Sequence, residues 1–317
     1  MNDIRQWAER FEGSVRTAFR GRSGIIDTMA VALLCRGHVL IEDVPGVGKT
    51  VLARAVARSI GGRFSQVQCT PDLLPADVLG VSVFNPAKGS FAFREGPIVT
   101  NVLLVDEISR ATPRTQSALL EAMAEGQVSV EGRSVPLPDP FLMIATESPV
   151  EAEGTFPLPE VQKDRFFLTM SIGYPDAQTE RELMLALREL VPPLERIGPV
   201  APLAELRAMQ ERVVGVHVAP ELRRYLVELV RATRSDPRLL LGVSPRGSLA
   251  LYKGAQALAA IRGRAYVVPE DIRGIAEPVL RKRMLLRPEA AARGITESAV
   301  IRELLGAAPV PPLAQAV

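Results

Sequence analysis

The stretch Ile41 to Thr50, I-E-D-V-P-G-V-G-K-T, restricts the fold of this chain more than any other. The apolar run Val39-Leu40-Ile41 feeds a loop holding Gly46 and Gly48, and Lys49 and Thr50 open a helix. Strand, glycine loop and helix in that order form a phosphate cradle. The glycines let loop amides turn toward a polyphosphate, Lys49 neutralises its β and γ oxygens, and the Thr50 hydroxyl reaches Mg2+ at the positive helix end. Pro45, Gly46, Val47, Gly48, Lys49, Thr50 and Val51 are the candidate nucleotide-binding residues. The general pattern wants glycine where Asp43 stands. An ordinary glycine-rich turn from strand to helix is the plainer alternative.

Carboxylates are the next requirement of such a site. Asn101 to Glu107 reads N-V-L-L-V-D-E, an apolar run closed by two acids. This suits a parallel strand buried on both faces, with the acids at its carboxyl end, where open α/β sheets bind their ligands. Asp106 is then a candidate for the Mg2+ shell, and Glu107 for orienting and polarising the attacking water. The alternative is a strand that ends in a solvated acidic turn. Phe141 to Thr146 repeats the apolar pattern and is followed by Glu147 and Ser148. Ser148 is the candidate to reach the γ-phosphate or the water, unless it only starts the turn at Pro149. Arg165, before the apolar run Phe166 to Ile172, either pairs at the surface with Asp164 or reaches the nucleotide of a neighbouring subunit.

At 317 residues and 47% hydrophobic, the chain has enough material for two domains. Residues 1–174 read as α/β and residues 175–317 as a smaller helical unit. The N-terminal stripe of Trp7, Phe11, Val15 and Phe19 reads as core packing on a helix. Gly21-Arg22 is either a helix-joining turn or a neighbour of the nucleotide base. Two β-hairpins are predicted, Val81 to Asn85 with Ser90 to Arg94, and Val128 to Val130 with Ser134 to Leu137. Beyond residue 175, helices are predicted near 176–190, 203–214, 219–233, 245–262, 269–281 and 295–306, with a Pro/Ala-rich mobile tail after Leu305. Arg246 falls in the first turn of one of them, where the helix dipole disfavours a cation. An incoming phosphate would explain it, and so would a carboxylate such as Glu221. The cluster Arg281-Lys282-Arg283 near a helix end reads as dipole compensation.

Bulk charge gives no argument for nucleic acid or a membrane surface, because Lys+Arg 38 against Asp+Glu 36 leaves only +2. Cys35 and Cys69 lack metal-ligand spacing and read as buried thiols. His38 reads as structural, and no role is assigned to His217. Neither a signal core nor a membrane-length apolar run is visible, so a cytoplasmic location is expected.

Taken together, these motifs resemble the MoxR family of AAA+ ATPases over nearly the whole chain. The matching stretches are G-H-V-L-I-E-D-V-P-G-V-G-K-T (37–50), T-P-D-L-L-P-A-D-V-L-G (70–80), D-E-I-S-R-A (106–111), T-Q-S-A-L-L-E-A-M (115–123), G-T-F-P-L-P-E-V-Q-K-D-R-F (154–166) and S-P-R (244–246). Asp43 fits the family's own form of the loop. The resemblance implies an α/β AAA+ P-loop parallel sheet with helices on both faces and two β-hairpin insertions, plus a smaller all-α lid domain. It assigns Gly46, Gly48, Lys49 and Thr50 to Walker A, Asp106 and Glu107 to Walker B, Arg165 to the arginine finger and Arg246 to sensor 2. It leaves open whether Arg246 serves its own nucleotide or a neighbour's. Two positions depart: Glu147-Ser148 stands for the usual Gln-Asn at sensor 1, and Ser109 for Asn.

Three readings follow. The first is a homo-oligomeric, hexameric ring binding ATP and Mg2+, acting as a chaperone-like activator of a protein client. The resemblance implies a von Willebrand factor A domain partner in trans and, for relatives, metal or cofactor insertion. The second is a nucleotide-gated scaffold with little turnover, motivated by the short Ser148. The third is a nucleic-acid motor. The nearly neutral hairpin tip Glu131-Gly132-Arg133 counts against it.

Overall fold

A computed structural model describes residues 1–22, 24–87, 89–130, 132–149, 154–186 and 191–311. The stripe of Trp7, Phe11 and Val15 forms the buried face of helix α1 (Asn2–Arg16), and α2 (Ile25–Leu34) packs against it. Trp7 and Phe11 stack with ring centroids 5.1 Å apart, a contact worth about 0.5–1.5 kcal/mol beyond the area it covers. Phe19 lies past the end of α1 yet is buried. Strand β1 (Val39–Glu42) runs through the glycine loop into α3 (Lys49–Ser59), which is followed by Gly61 at φ 69°. Next come β2 (Phe64–Gln68), a short helix α4 (Pro75–Leu79), the hairpin β3 (Gly80–Asn85) with β4 (Ser90–Glu95), and β5 (Val102–Asp106). Helix α4 has no counterpart among the expected elements, because one turn is too short to show a period. The hairpin register agrees with expectation, pairing Val81 with Arg94 and Asn85 with Ser90.

Thr112 Oγ1 accepts from the Thr115 amide at the start of α5 (Pro113–Glu125), and Gly126 follows at φ 64°. This helix has a capped start and a left-handed stop, as its sequence requires. The second hairpin, β6 (Gln127–Val130) with β7 (Arg133–Pro136), leads to β8 (Leu142–Glu147). A short α6 (Glu160–Lys163) precedes β9 (Leu168–Met170), which is shorter than the apolar run around it. The hairpin-tip residues Lys88 and Glu131 lie outside the described residues.

The parallel strands pair in the order β2-β5-β8-β1-β9. One sheet face, including Ile41, Leu104 and Ile144, packs on α1, α2, α3 and helices of the C-terminal part. The opposite face, including Leu40, Leu103, Val105 and Met143, packs on Leu119, Leu120 and Met123 of α5. Coverage of both faces is why the inner strands β1, β5 and β8 carry continuous apolar runs, whereas the edge strand β2 does not. Because β8 lies between β5 and β1, the acids ending β5 and the loop after β1 open onto one sheet edge.

After the sheet the chain is helical, with α7 (Ala177–Ala186), α8 (Leu203–Val213), α9 (Pro220–Ser235), α10 (Pro245–Ile261), α11 (Pro269–Leu280), α12 (Pro288–Ala292) and α13 (Glu297–Ala307). Residues 187–190, expected to continue α7, and the tail residues 312–317 lie outside the described ones. A short antiparallel pair, β10 (Leu239–Leu241) with β11 (Leu285–Leu286), is added to the helices of this lid. Helix α10 packs on α1 and α2 as well as on α9 and α11, so lid and sheet share one continuous core. No helix among the described residues is long and apolar enough to cross a membrane.

His38 is structural, as expected. Its Nε2 donates to Met123 O at 3.1 Å while Nδ1 accepts from the Met143 amide at 3.0 Å, joining β1 to α5 and β8. Burial pushes its pKa down to about 4. Cys69 is buried and Cys35 partly so. Burial pushes both thiols up to about 12, with Asp106 and Glu107 adding to the effect on Cys69.

Candidate active site

The glycine loop holds Gly46 at φ 87° and Gly48 at φ 94°, a region that L side chains avoid. A Cβ on Gly46 would meet nothing within 4 Å, and one on Gly48 would sit 3.6 Å from the Phe19 ring. These glycines therefore serve the backbone turn rather than relieve crowding. Gly48 is also the N-cap of α3 and offers no side-chain cap, so the first-turn amides are left for another acceptor. Lys49 folds back on the loop, its Nζ donating to the carbonyls of Asp43 at 2.9 Å and Val44 at 3.4 Å.

Asp43, the departure from the general loop pattern, has a clear structural use. It is buried, and its Oδ2 accepts from Ser171 Oγ at 3.0 Å and from the Gly173 amide at 2.7 Å. Oδ1 accepts from the Val44 amide at 2.9 Å. The carboxylate thus ties the loop to the segment after β9. That segment, with Phe19 and Gly21-Arg22, lines a cleft with Gly46, Val47, Gly48 and Val51. Gly21-Arg22 is therefore a neighbour of the candidate nucleotide pocket as well as a turn between helices.

At the end of β5, Asp106 Oδ1 accepts from Thr146 Oγ1 at 2.6 Å. Glu107 follows in the left-handed region, at φ 55° and ψ 54°, a conformation costing a non-glycine residue about 1–2 kcal/mol. Its amide donates to the same Thr146 oxygen at 2.8 Å, and its Oε2 accepts from Arg110 at 2.9 Å. Ser148 follows β8 directly and is partly buried. Its neighbour Glu147 is buried in register with Glu42 and lies 3.5 Å from Lys163 Nζ. Burial raises the Glu147 pKa, Lys163 opposes this, and Glu42 adds to it.

Arg165 and Arg246 stand elsewhere. They line a second cleft with Gln162 of α6 and with Glu121 and Glu125 of α5, and no residue of the first cleft takes part in it. Arg165 donates to Leu120 O at 3.4 Å. The carboxylate near Arg246 is Asp164, at 3.9 Å, rather than Glu221.

For metal, the donors fit a Mg2+ that arrives with a nucleotide. Thr50 and Asp106 are the oxygen-bearing candidates, and among the described residues no group of three or more His, Cys, Asp or Glu could hold an ion. Mg2+ is ordinarily held by one or two carboxylates together with phosphate and water oxygens.

Residues 38–168 match the model described as the ATPase family associated with various cellular activities (AAA), and residues 231–304 match the AAA lid domain. The protein named Chaperone MoxR1 of Mycobacterium tuberculosis is 40% identical over 312 residues, covering 96% of this chain and 82% of its own. The chain belongs to the MoxR family of AAA+ ATPases. Also similar is the Uncharacterized protein YeaC of Bacillus subtilis, 49% identical over 92% of this chain and 91% of its own. A crystal structure from Cytophaga hutchinsonii, whose name proposes an ATPase, superposes with a TM-score of 0.91 at 33% identity, covering 98% of this chain and 96% of that one.

In this MoxR ATPase the lid is fastened close to the glycine loop by contacts that the sequence reading missed. Lys282 Nζ lies 2.8 Å and Arg281 NH2 3.4 Å from Glu42, the last residue of β1. Arg283 is buried, donating to Asp164 Oδ1 and to the Phe167 carbonyl, with further bonds to the Phe166 and Val279 carbonyls. The basic cluster is therefore a joint between domains rather than dipole compensation. Asp43, Thr146 and the Glu42 pairs leave no local pattern, since each partner comes from a distant stretch.

Proposed function

We propose that this MoxR ATPase assembles as a homo-oligomeric, hexameric ring and hydrolyses ATP at a site completed by the neighbouring subunit. Within one subunit, the loop amides and Lys49 hold the β- and γ-phosphates, while Thr50 and Asp106 hold Mg2+. When bound, Mg2+ neutralises charge between those phosphates. Glu107 orients and polarises the attacking water, assisted by Ser148 from the next strand. Arg165 of the adjacent subunit meets the charge that develops on the γ-phosphoryl group, and Arg246 accompanies it.

The observation that carries this reading is the separation of the two clefts. Arg165 and Arg246 converge on one surface, while the glycine loop and Phe19 line another. Both arginines are exposed, and the Asp164 carboxylate stands 3.9 Å from Arg246, so their guanidinium groups remain accessible to a phosphate presented by a neighbour. An arginine supplied in trans contributes about 10³–10⁵ to phosphoryl transfer.

The downstream role follows from the family and from the name of the mycobacterial relative, a chaperone. ATP-driven lid movement is coupled to remodelling or activating a protein client, with a von Willebrand factor A domain protein as partner and metal or cofactor insertion as the kind of task. A second reading, a nucleotide-gated scaffold with low turnover, is favoured by the hydrogen bond from Arg110 to Glu107, which engages that carboxylate.

Steady-state hydrolysis per subunit, measured across protein concentrations with Glu107→Gln as control, tests the proposal. A shared site gives specific activity that rises with concentration and vanishes in the variant. Concentration-independent activity contradicts it. ATP binding without turnover in the wild type selects the scaffold.

A further inference from the structure

We propose that Thr146 is the positioning residue for the carboxylate pair Asp106 and Glu107; the inference rests on the hydrolytic reading above. Thr146 is fully buried near the carboxyl end of β8. Its hydroxyl oxygen is 2.6 Å from Asp106 Oδ1 and 2.8 Å from the Glu107 amide nitrogen. An amide N–H can only donate, so the hydroxyl accepts from Glu107, and its single proton goes to Asp106. Both bonds are satisfied by one atom, and their directions are fixed.

This arrangement acts on two residues by different routes. Toward Asp106, the bond fixes the orientation of the carboxylate plane and commits Oδ1, while Oδ2 has no hydrogen-bond partner among the described residues. Toward Glu107, it holds the backbone in a left-handed conformation that a glutamate seldom adopts. The direction in which the Glu107 side chain leaves the sheet edge depends on that conformation. Relaxation to an ordinary helical φ would re-aim the carboxylate.

The strand register extends the connection to the phosphate loop. Thr146 pairs with Ile41, whose strand leads directly into Asp43 and the glycines. Through Thr146, the loop strand and both acids are therefore held in a common frame. Glu147, the next residue, is engaged with Lys163. Thr146 itself touches no reacting atom and takes no part in proton transfer.

Thr146→Val keeps the size and β-branching of the side chain and removes the hydroxyl; Thr146→Ser keeps the hydroxyl and removes the methyl. Both are made in the full-length protein, with melting curves to confirm folding. Loss of the bond to the Asp106 carboxylate and of the neutral bond from the Glu107 amide in the valine variant is expected to lower kcat about 10- to 100-fold. The KM for ATP should change by less than about threefold, because phosphate contacts remain in place. Half-saturating Mg2+ should rise, both in hydrolysis and in binding of a fluorescent ATP analogue. Serine should return kcat to within about threefold of wild type. Wild-type kcat and Mg2+ dependence in the valine variant would overturn the assignment, as would a serine variant as impaired as valine, which would mark the methyl group as the important part. Glu107→Gln run in parallel separates the two levels. If that variant hydrolyses ATP normally, the assigned role of Glu107 fails, and the Mg2+ dependence of analogue binding still reports on whether Thr146 positions Asp106.

Discussion

Arg283 Nε donates to Asp164 Oδ1 at 2.9 Å, joining the helical lid to the residue that precedes Arg165. Asp164 also accepts from Ser244 Oγ, the N-cap residue of the helix that carries Arg246, at 3.0 Å. Both arginines of the second cleft are thus placed by one carboxylate.

Asp164→Ala is expected to destabilise the protein by about 3 kcal/mol, because it strands a buried guanidinium whose remaining partners are neutral carbonyls. Denaturant unfolding measures the loss directly. Burial already lowers the Arg283 pKa and Asp164 opposes that shift, so removing the aspartate works in the unfavourable direction. A change below about 0.5 kcal/mol would show that the carbonyls suffice.

Lys49→Ala and Asp43→Ala should separate binding from architecture. Among the described residues Lys49 Nζ bonds only the carbonyls of its own loop, so its loss should weaken ATP binding at least about tenfold and leave stability within about 0.5 kcal/mol. Asp43 is buried and ties the loop to Ser171 and Gly173. Its removal should weaken nucleotide binding and also cost about 2–3 kcal/mol of stability. Titration calorimetry and melting on the same samples distinguish the two patterns.

Stability should also depend on pH through His38. Its folded pKa is about 4 against an ordinary 6.5. Between these values the unfolded chain binds the proton and the folded chain does not, so stability is full above 6.5 and falls as pH drops toward 4. The loss is on the order of 3 kcal/mol if the whole shift is expressed. His38→Gln should flatten this part of the pH profile, measured as denaturation midpoints at pH 7.5 and 5. An unchanged slope would assign the acid sensitivity to other groups.

The legible parts of the molecule were those written in short, contiguous patterns. The loop from Val44 to Thr50 and the acids after Leu103-Leu104-Val105 declare themselves because strand, turn and helix are consecutive there. Helix α5 carries equally local signals, with Pro113 in its first turn and Gly126 directly after its end. Thr146 was hidden because it ends an apolar run and reads as a β-branched strand residue. Its polar role depends on β5 lying beside β8, a sheet order that no local pattern encodes. Asp43 departs from the general loop pattern and fits the family's form, but its structural use leaves no local sign, because its partners Ser171 and Gly173 are brought to it by β9. The joint between Arg281 and Glu42 links residues 239 positions apart, and a basic cluster at a helix end gives no sign of such a partner.

Complementation between inactive variants tests the shared site most directly. Glu107→Gln lacks the water-orienting residue and retains Arg165; Arg165→Ala has the reverse defect. Each is expected to be inactive alone. Mixed under conditions that exchange subunits, about a quarter of interfaces would join an intact Glu107 to an intact Arg165, and hydrolysis should reappear in that proportion. Mixed oligomers that form, bind ATP and stay inactive would contradict a site built between subunits, and would place Arg165 at the nucleotide of its own chain.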